Sequence, residues 1–144
     1  MTCTPATLAG YAILAVLGLA LTRADLACRR LPDRLVLPGY LLAGVPLAIG
    51  QPAALPRAVA AGLACAAWYG LFCAAGWLGF GDVKLGGLLG LALGFQSWGA
   101  VVAGLLASAV LGGLHAALAR RPVIPYGPAM LAGNFVILLG SLAQ

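Results

Sequence analysis

The sequence contains no glutamate. Of its 144 residues only three are acidic (Asp25, Asp33 and Asp82) and eight are Lys or Arg, so charged residues make up 8% of the chain. A soluble domain carries roughly 25% charged residues, because its surface must be hydrated, and this chain cannot furnish such a surface. Disorder is excluded by the opposite test, since disordered chains are poor in apolar residues and this one is 63% hydrophobic. Histidine occurs once, as His115, and the four cysteines (Cys3, Cys28, Cys65 and Cys73) form no Cys-x-x-Cys pair. Zinc requires clustered ligands, so no metal centre is expected, and the cysteines read as small packing residues. No glycine-rich phosphate loop is present, because Gly79-Phe80-Gly81 leads into Asp82, an acid that would repel a phosphate. No serine sits in a nucleophile elbow. What remains is an all-α, polytopic membrane protein, one integral-membrane domain over 1–144.

What is present is a series of apolar stretches, at about 5–22, 35–50, 56–78, 83–96, 98–119 and 123–143. A spanning helix needs about 20 mainly apolar residues, so six spans leave no room for a sizeable domain outside the bilayer. Charges, glycines and prolines punctuate the breaks. Residues 1–10 lack the basic region of a cleavable signal, so the first helix is expected to stay. The fourth stretch is the shortest, and a re-entrant hairpin is its alternative. Cation placement decides between them. With six spans, the connections after the first, third and fifth stretches carry Arg23, Arg29, Arg30, Arg34, Lys84, Arg120 and Arg121, and only Arg57 falls on the other side. Lys and Arg accumulate in cytoplasmic loops, so six spans with both termini outside are expected. The same asymmetry accounts for the net charge of +5, and no nucleic-acid partner is implied.

An ionisable residue in or beside a membrane helix is costly and is by default a functional hypothesis. Asp25 follows the first stretch and Asp82 opens the fourth, so the six-span topology brings both to the cytoplasmic edge. Two carboxylates within hydrogen-bonding reach cannot both ionise easily; one then serves as general base and the other as acid. Structural roles are open as well. Asp82 can cap the fourth helix, and Asp25 can pair with Arg29 four residues on. Asp33, just after Pro32, reads as the N-cap of the second helix.

The local sequence around the two acids is distinctive. Gly79-Phe80-Gly81-Asp82-Val83-Lys84 resembles the Gly-x-Gly-Asp signature of intramembrane aspartyl proteases, and its continuation is similar to that of the type IV prepilin peptidases. Asp25-Leu26-Ala27-Cys28-Arg29-Arg30-Leu31-Pro32-Asp33 resembles that family's first catalytic block. Ile124-Pro125-Tyr126-Gly127-Pro128 resembles the proline-rich entry to its last helix. The three blocks fall in family order, and the resemblance covers essentially the whole chain.

That resemblance implies an aspartic endopeptidase acting on type IV prepilin or pseudopilin precursors, with Asp25 and Asp82 as the catalytic pair. The substrate it implies has a short basic leader, cut just after a glycine and followed by an apolar helix. The implied location is the bacterial inner membrane, multi-pass, with the active site on the cytoplasmic side. Gly79 and Gly81 would let backbone pass close to Asp82 and to an extended substrate, and as an extended, unpaired glycine-rich segment they would offer the unwound scissile peptide backbone partners. Phe80 would line the substrate groove, Lys84 would favour an ionised carboxylate nearby, and Pro32, Pro125 and Pro128 would fix turns at one membrane face. Longer members carry a cytoplasmic loop with two Cys-x-x-Cys pairs, associated with methylation. The chain resembles the short, peptidase-only form, so neither S-adenosylmethionine nor any other cofactor is expected. The rival reading is a small non-enzymatic transporter, or a pilus or secretion assembly subunit, using Asp25 and Asp82 for ion binding or helix capping.

Overall fold

The structure, a computed structural model, describes residues 4–28, 33–119 and 126–142. Six α-helices follow one another: α1 (Pro5–Cys28), α2 (Asp33–Gly50), α3 (Leu55–Ala74), α4 (Phe80–Gly94), α5 (Trp98–Ala119) and α6 (Gly127–Leu142), with a single 3-10 turn at Pro52–Ala54 before α3. No strand occurs among the described residues. Large apolar side chains such as Leu19, Leu41, Leu63, Leu71, Leu106 and Leu139 point outward and are exposed, the arrangement of a bundle whose solvent is lipid. Pro5–Ala27 in α1, Pro52–Ala74 (the 3-10 turn together with α3) and Trp98–Leu118 in α5 are long and apolar enough to cross a membrane, while α2 and α6 contribute shorter apolar stretches.

The short fourth helix is the centre of the bundle and packs against α2, α3, α5 and α6. Leu85, Leu88, Leu89, Ala92 and Leu93 are all buried on it. A helix that is apolar all round belongs in an interior, and 15 residues reach only about 22 Å at 1.5 Å each. Its glycines face α3. A Cβ at Gly90 would lie 2.6 Å from Cys65 Cβ and 2.9 Å from the Ala61 carbonyl oxygen, and one at Gly94 would lie 2.7 Å from Ala58 Cα. Small residues allow this backbone approach, which substitutes dispersion contact for the hydrophobic effect that lipid does not supply. Cys65 is thus a packing residue, as its scattered position in the sequence suggests.

Gly90→Leu is therefore expected to destabilise the bundle by about 3 kcal/mol, since overpacking against backbone cannot be relieved by a rotamer change. Gly70→Leu, where a Cβ meets nothing within 4 Å, should leave the melting temperature in detergent nearly unchanged. Equal melting temperatures for the two variants would contradict this packing.

Helix ends explain where the chain departs from the apolar stretches. The charges at Arg23 and Asp25 do not stop α1, which continues to Cys28. Arg and Asp are tolerated in helices, and Pro32 is the first strong breaker. α3 stops at Ala74 instead of 78 because Gly76, at φ 78°, ends it. Gly76 N–H donates to Cys73 O and Trp77 N–H to Phe72 O, both at 3.0 Å, a Schellman pair closed by the rings of Phe72 and Trp77, tilted at 35° with centres 5.8 Å apart. α5 starts on Ser97, whose Oγ accepts the Ala100 N–H at 3.0 Å.

Two polar clusters lock the bundle. Asn134 on α6 donates to Ser108 Oγ on α5 at 2.8 Å and to Met130 O at 2.6 Å. At the far end of α4, Arg57 donates through Nε to Gly94 O at 2.7 Å and through Nη2 to Phe95 O and Gln96 O at 2.8 and 3.0 Å. Arg57 is the cation that breaks the charge asymmetry of the sequence, and its place is structural. It satisfies the carbonyls left over at the C-terminus of a buried helix, where the macrodipole favours positive charge.

Candidate active site

Asp25 lies in the last turns of α1 and is 6% exposed. Its Oδ2 is buried and makes no hydrogen bond among the described residues. The carboxylate rests against the first residue of α6: a Cβ at Gly127 would stand 2.6 Å from Oδ2 and 3.2 Å from Cγ. Glycine is thus required at 127 for α6 to bring its N-terminus, with its partial positive charge, against Asp25. Arg29, the alternative partner for Asp25, lies outside the described residues, as do Pro32 and Pro125.

Asp82 is placed by the turn that Gly76 opens. Gly79 is extended at φ −79°, ψ 153° and caps α4. Asp82, in the first helical turn, accepts the Gly79 N–H on Oδ2 at 3.2 Å and returns its own N–H to Gly79 O at 3.0 Å. Capping is therefore real for Asp82. Gly81 is already inside α4, so the Gly-x-Gly pair is a helix start and not the extended, unpaired segment expected of it. The tight entry leaves Asp82 half-buried beside α3.

The two acids sense each other although they come from different helices. Burial pushes the Asp82 carboxyl up to about 6, the Asp25 charge adds to this, and the Gly79 N–H opposes it. Lys84 follows Asp82 by two residues on the same helix. Its ammonium lies 4.8 Å from the centre of the Phe80 ring, a cation–π contact along the surface of α4, and Phe80 itself is exposed. Pro128, in the first turn of α6, borders an apolar cleft of about 530 Å³ between α1 and α6, together with Thr22, Leu131 and Phe135.

Tyr126 and Gly127 join the site, and the sequence signal for both was present in the Tyr126-Gly127-Pro128 step. Proline in the first turn marks a helix start, and the residue before it must then meet whatever faces that start. Tyr126 donates its hydroxyl to Ser108 O at 3.2 Å and sets its ring 6.5 Å from that of Tyr69. Burial, and then the charge of Asp82, raise its pKa. Among the described residues no group of His, Cys, Asp or Glu could hold a metal ion, and His115 stands alone on α5.

Two carboxylates from separate helices lie within each other's field in an all-helical bundle whose outside is apolar, as a membrane protein's is. The chain belongs to the type IV leader peptidase family, whose model matches residues 12–117, a stretch that contains both Asp25 and Asp82. It is a type IV leader peptidase-like protease. No curated protein and no solved structure matches it.

Proposed function

We propose that this protease is an aspartic endopeptidase that removes the short basic leader from type IV prepilin or pseudopilin precursors at the cytoplasmic face of the bacterial inner membrane. The observation that carries the reading is Asp25. Its carboxylate is buried, has an oxygen without a hydrogen bond, and lies within the field of Asp82. Capping accounts for Asp82, and the backbone of Gly127 at the start of α6 backs Asp25, but neither contact explains why two carboxylates from separate helices share each other's field away from water.

In this reading the pair holds one proton between its two carboxyls. The ionised member takes a proton from water as the oxygen attacks the scissile carbonyl. The protonated member donates to the carbonyl oxygen, and collapse of the tetrahedral intermediate passes a proton to the leaving amine. The roles belong to the pair, because strongly coupled carboxyls titrate together. All six helices cross the bilayer in this reading. α4 can do so although short, since its neighbours shield it from lipid and no hydrophobic match is required of it. The cytoplasmic assignment rests on the seven cations in the three connections on the face that holds Asp25 and Asp82.

The test is cleavage of a prepilin-like substrate by membranes containing wild type or Asp25→Asn. Loss of general acid–base function should lower the rate by about a thousandfold, with the variant inserted at the wild-type level. Near wild-type cleavage by Asp25→Asn would sink the aspartyl mechanism.

A further inference from the structure

The first turns of α4, which carry Asp82, are gripped by two tyrosines from neighbouring helices. Tyr40 on α2 donates its hydroxyl to the Lys84 carbonyl at 2.6 Å, shorter than the usual O–H···O separation of about 2.7–2.8 Å. The acceptor lies two residues beyond Asp82. A helix carbonyl keeps a second lone pair after serving the ladder, so this bond ties α4 from outside without breaking a bond within it.

The sequence of α4 makes room for the grip. A Cβ at Gly87 would collide with the Tyr40 hydroxyl, and one at Gly86 would run into the Tyr69 ring on α3. Adjacent glycines thus open α4 on two sides, directly after Asp82. The Tyr40 ring packs against both buried apolar clusters of the bundle, which fixes where its hydroxyl stands.

The tie also bears on the distance between the two acids. Asp25 is on α1, which packs mainly on α2 and α6, and α2 packs on both α1 and α4. The helix between the two acids is therefore α2, and Tyr40 is the side chain through which it holds the backbone beside Asp82. Gly79 N–H secures Asp82 from the preceding side. A reacting pair must be kept to within about 0.5 Å by the groups that support it, and the ladder of α4 cannot fix its own height against α1.

We propose that Tyr40 is a positioning residue of the acid pair: through its hydroxyl on the Lys84 carbonyl, α2 holds Asp82 at its working distance from Asp25. The inference rests on the peptidase reading above. Tyr11 supplies a matched control. It donates from α1 to the Ala92 carbonyl of the same helix at 3.4 Å, far along α4 from Asp82.

Tyr40→Phe and Tyr11→Phe are compared with wild type on a peptide that has a basic leader and an apolar helix. Tyr40→Phe should lower kcat by about tenfold with KM unchanged, since a misplacement of 1 Å costs about a hundredfold and the shift here is smaller. Tyr11→Phe should keep the wild-type kcat. Equal effects of the two replacements, or a loss seen only in KM, overturn the proposal. The double variant Tyr40→Phe, Gly87→Ala separates the bond from packing. Its methyl takes the place of the lost hydroxyl, and alanine favours the helix, so the melting temperature should return to the wild-type value or above it. The value of kcat should stay low, and its recovery along with the melting temperature overturns the proposal.

A further measurement needs no substrate. Amide hydrogen exchange over residues 80–88 in detergent should quicken about fivefold in Tyr40→Phe, the worth of one hydrogen bond. Residues 89–94, at the end held by Arg57, should exchange as in wild type. Unchanged exchange over 80–88 overturns the tie. If wild type fails to cleave the peptide, it is the peptidase reading that falls, and the exchange map still decides whether Tyr40 holds α4.

Discussion

Asp82→Asn should reduce leader cleavage by about a thousandfold or more and yet yield a protein that melts higher than wild type above pH 6. Both outcomes come from one side chain with two duties. As a cap, Asp82 needs only an oxygen that accepts the Gly79 N–H, now at 3.2 Å. An amide oxygen serves equally well, so the first turn of α4 keeps its geometry. As half of an acid pair it must gain and lose a proton, which an amide cannot do.

The stability change follows from linkage. The Asp82 carboxyl is raised from 3.8 to about 6, chiefly by burial, so the folded protein holds this proton more tightly than the unfolded chain. Such a group destabilises the fold when ionised in both states, above about pH 6, and has no effect below about pH 4, where both states are protonated. The amide removes that penalty, about 1 kcal/mol once the partial exposure of the group is allowed for. Thermal unfolding in detergent at pH 8 and pH 4 checks the sign. A gain of equal size at both values, or cleavage near the wild-type rate, would contradict the assignment. Asp82→Ala loses the cap as well and should melt below Asp82→Asn.

Arg57→Met should cost about 3 kcal/mol of stability, as much as overpacking the α3–α4 contact at Gly90. Three carbonyls at the end of α4 accept from this guanidinium at 2.7 to 3.0 Å, and Phe95, beside them, is fully buried. Methionine preserves the bulk of the stem but strands those oxygens. Leaving buried acceptors unmet costs about 1–3 kcal/mol each, and partial access to water at the half-buried arginine brings the total to about 3 kcal/mol. Arg57→Lys retains the charge at the dipole end but not the planar fork, and should recover less than half of the loss. Melting temperatures of the two variants within a degree of wild type would show that the clamp carries no weight.

Much of this was open to inspection in the chain itself, and the exceptions have particular causes. The burial of α4 could be anticipated from a stretch too short to face lipid and rich in glycine. The gathering of Asp25 and Asp82 could be anticipated from the side on which the cations lie. The contact between Asp25 and Gly127 could not, because it depends on how α6 meets α1, and no local pattern records the packing of helices about 100 residues apart. Arg57 stood out only as the cation on the wrong side; its partners are backbone carbonyls, which leave no mark in the side-chain sequence. α1 runs past its apolar stretch, to Cys28, because charges do not end a helix as prolines do. A helix within a protein continues through Arg and Asp when they find suitable surroundings, and the burial of Asp25 is the result.

The central position of α4 has one more consequence. A helix fenced off by its neighbours has no interface with the hydrocarbon, so bilayer thickness exerts no direct pull on it. Its height is set by Arg57 at one end, by the glycine stripe against α3 along its length, and by the Gly76 turn at the other. Thicker or thinner membranes are met by tilting of the outer helices, α1 among them, while Asp82 keeps its height, like a hearth at a fixed level within walls that lean.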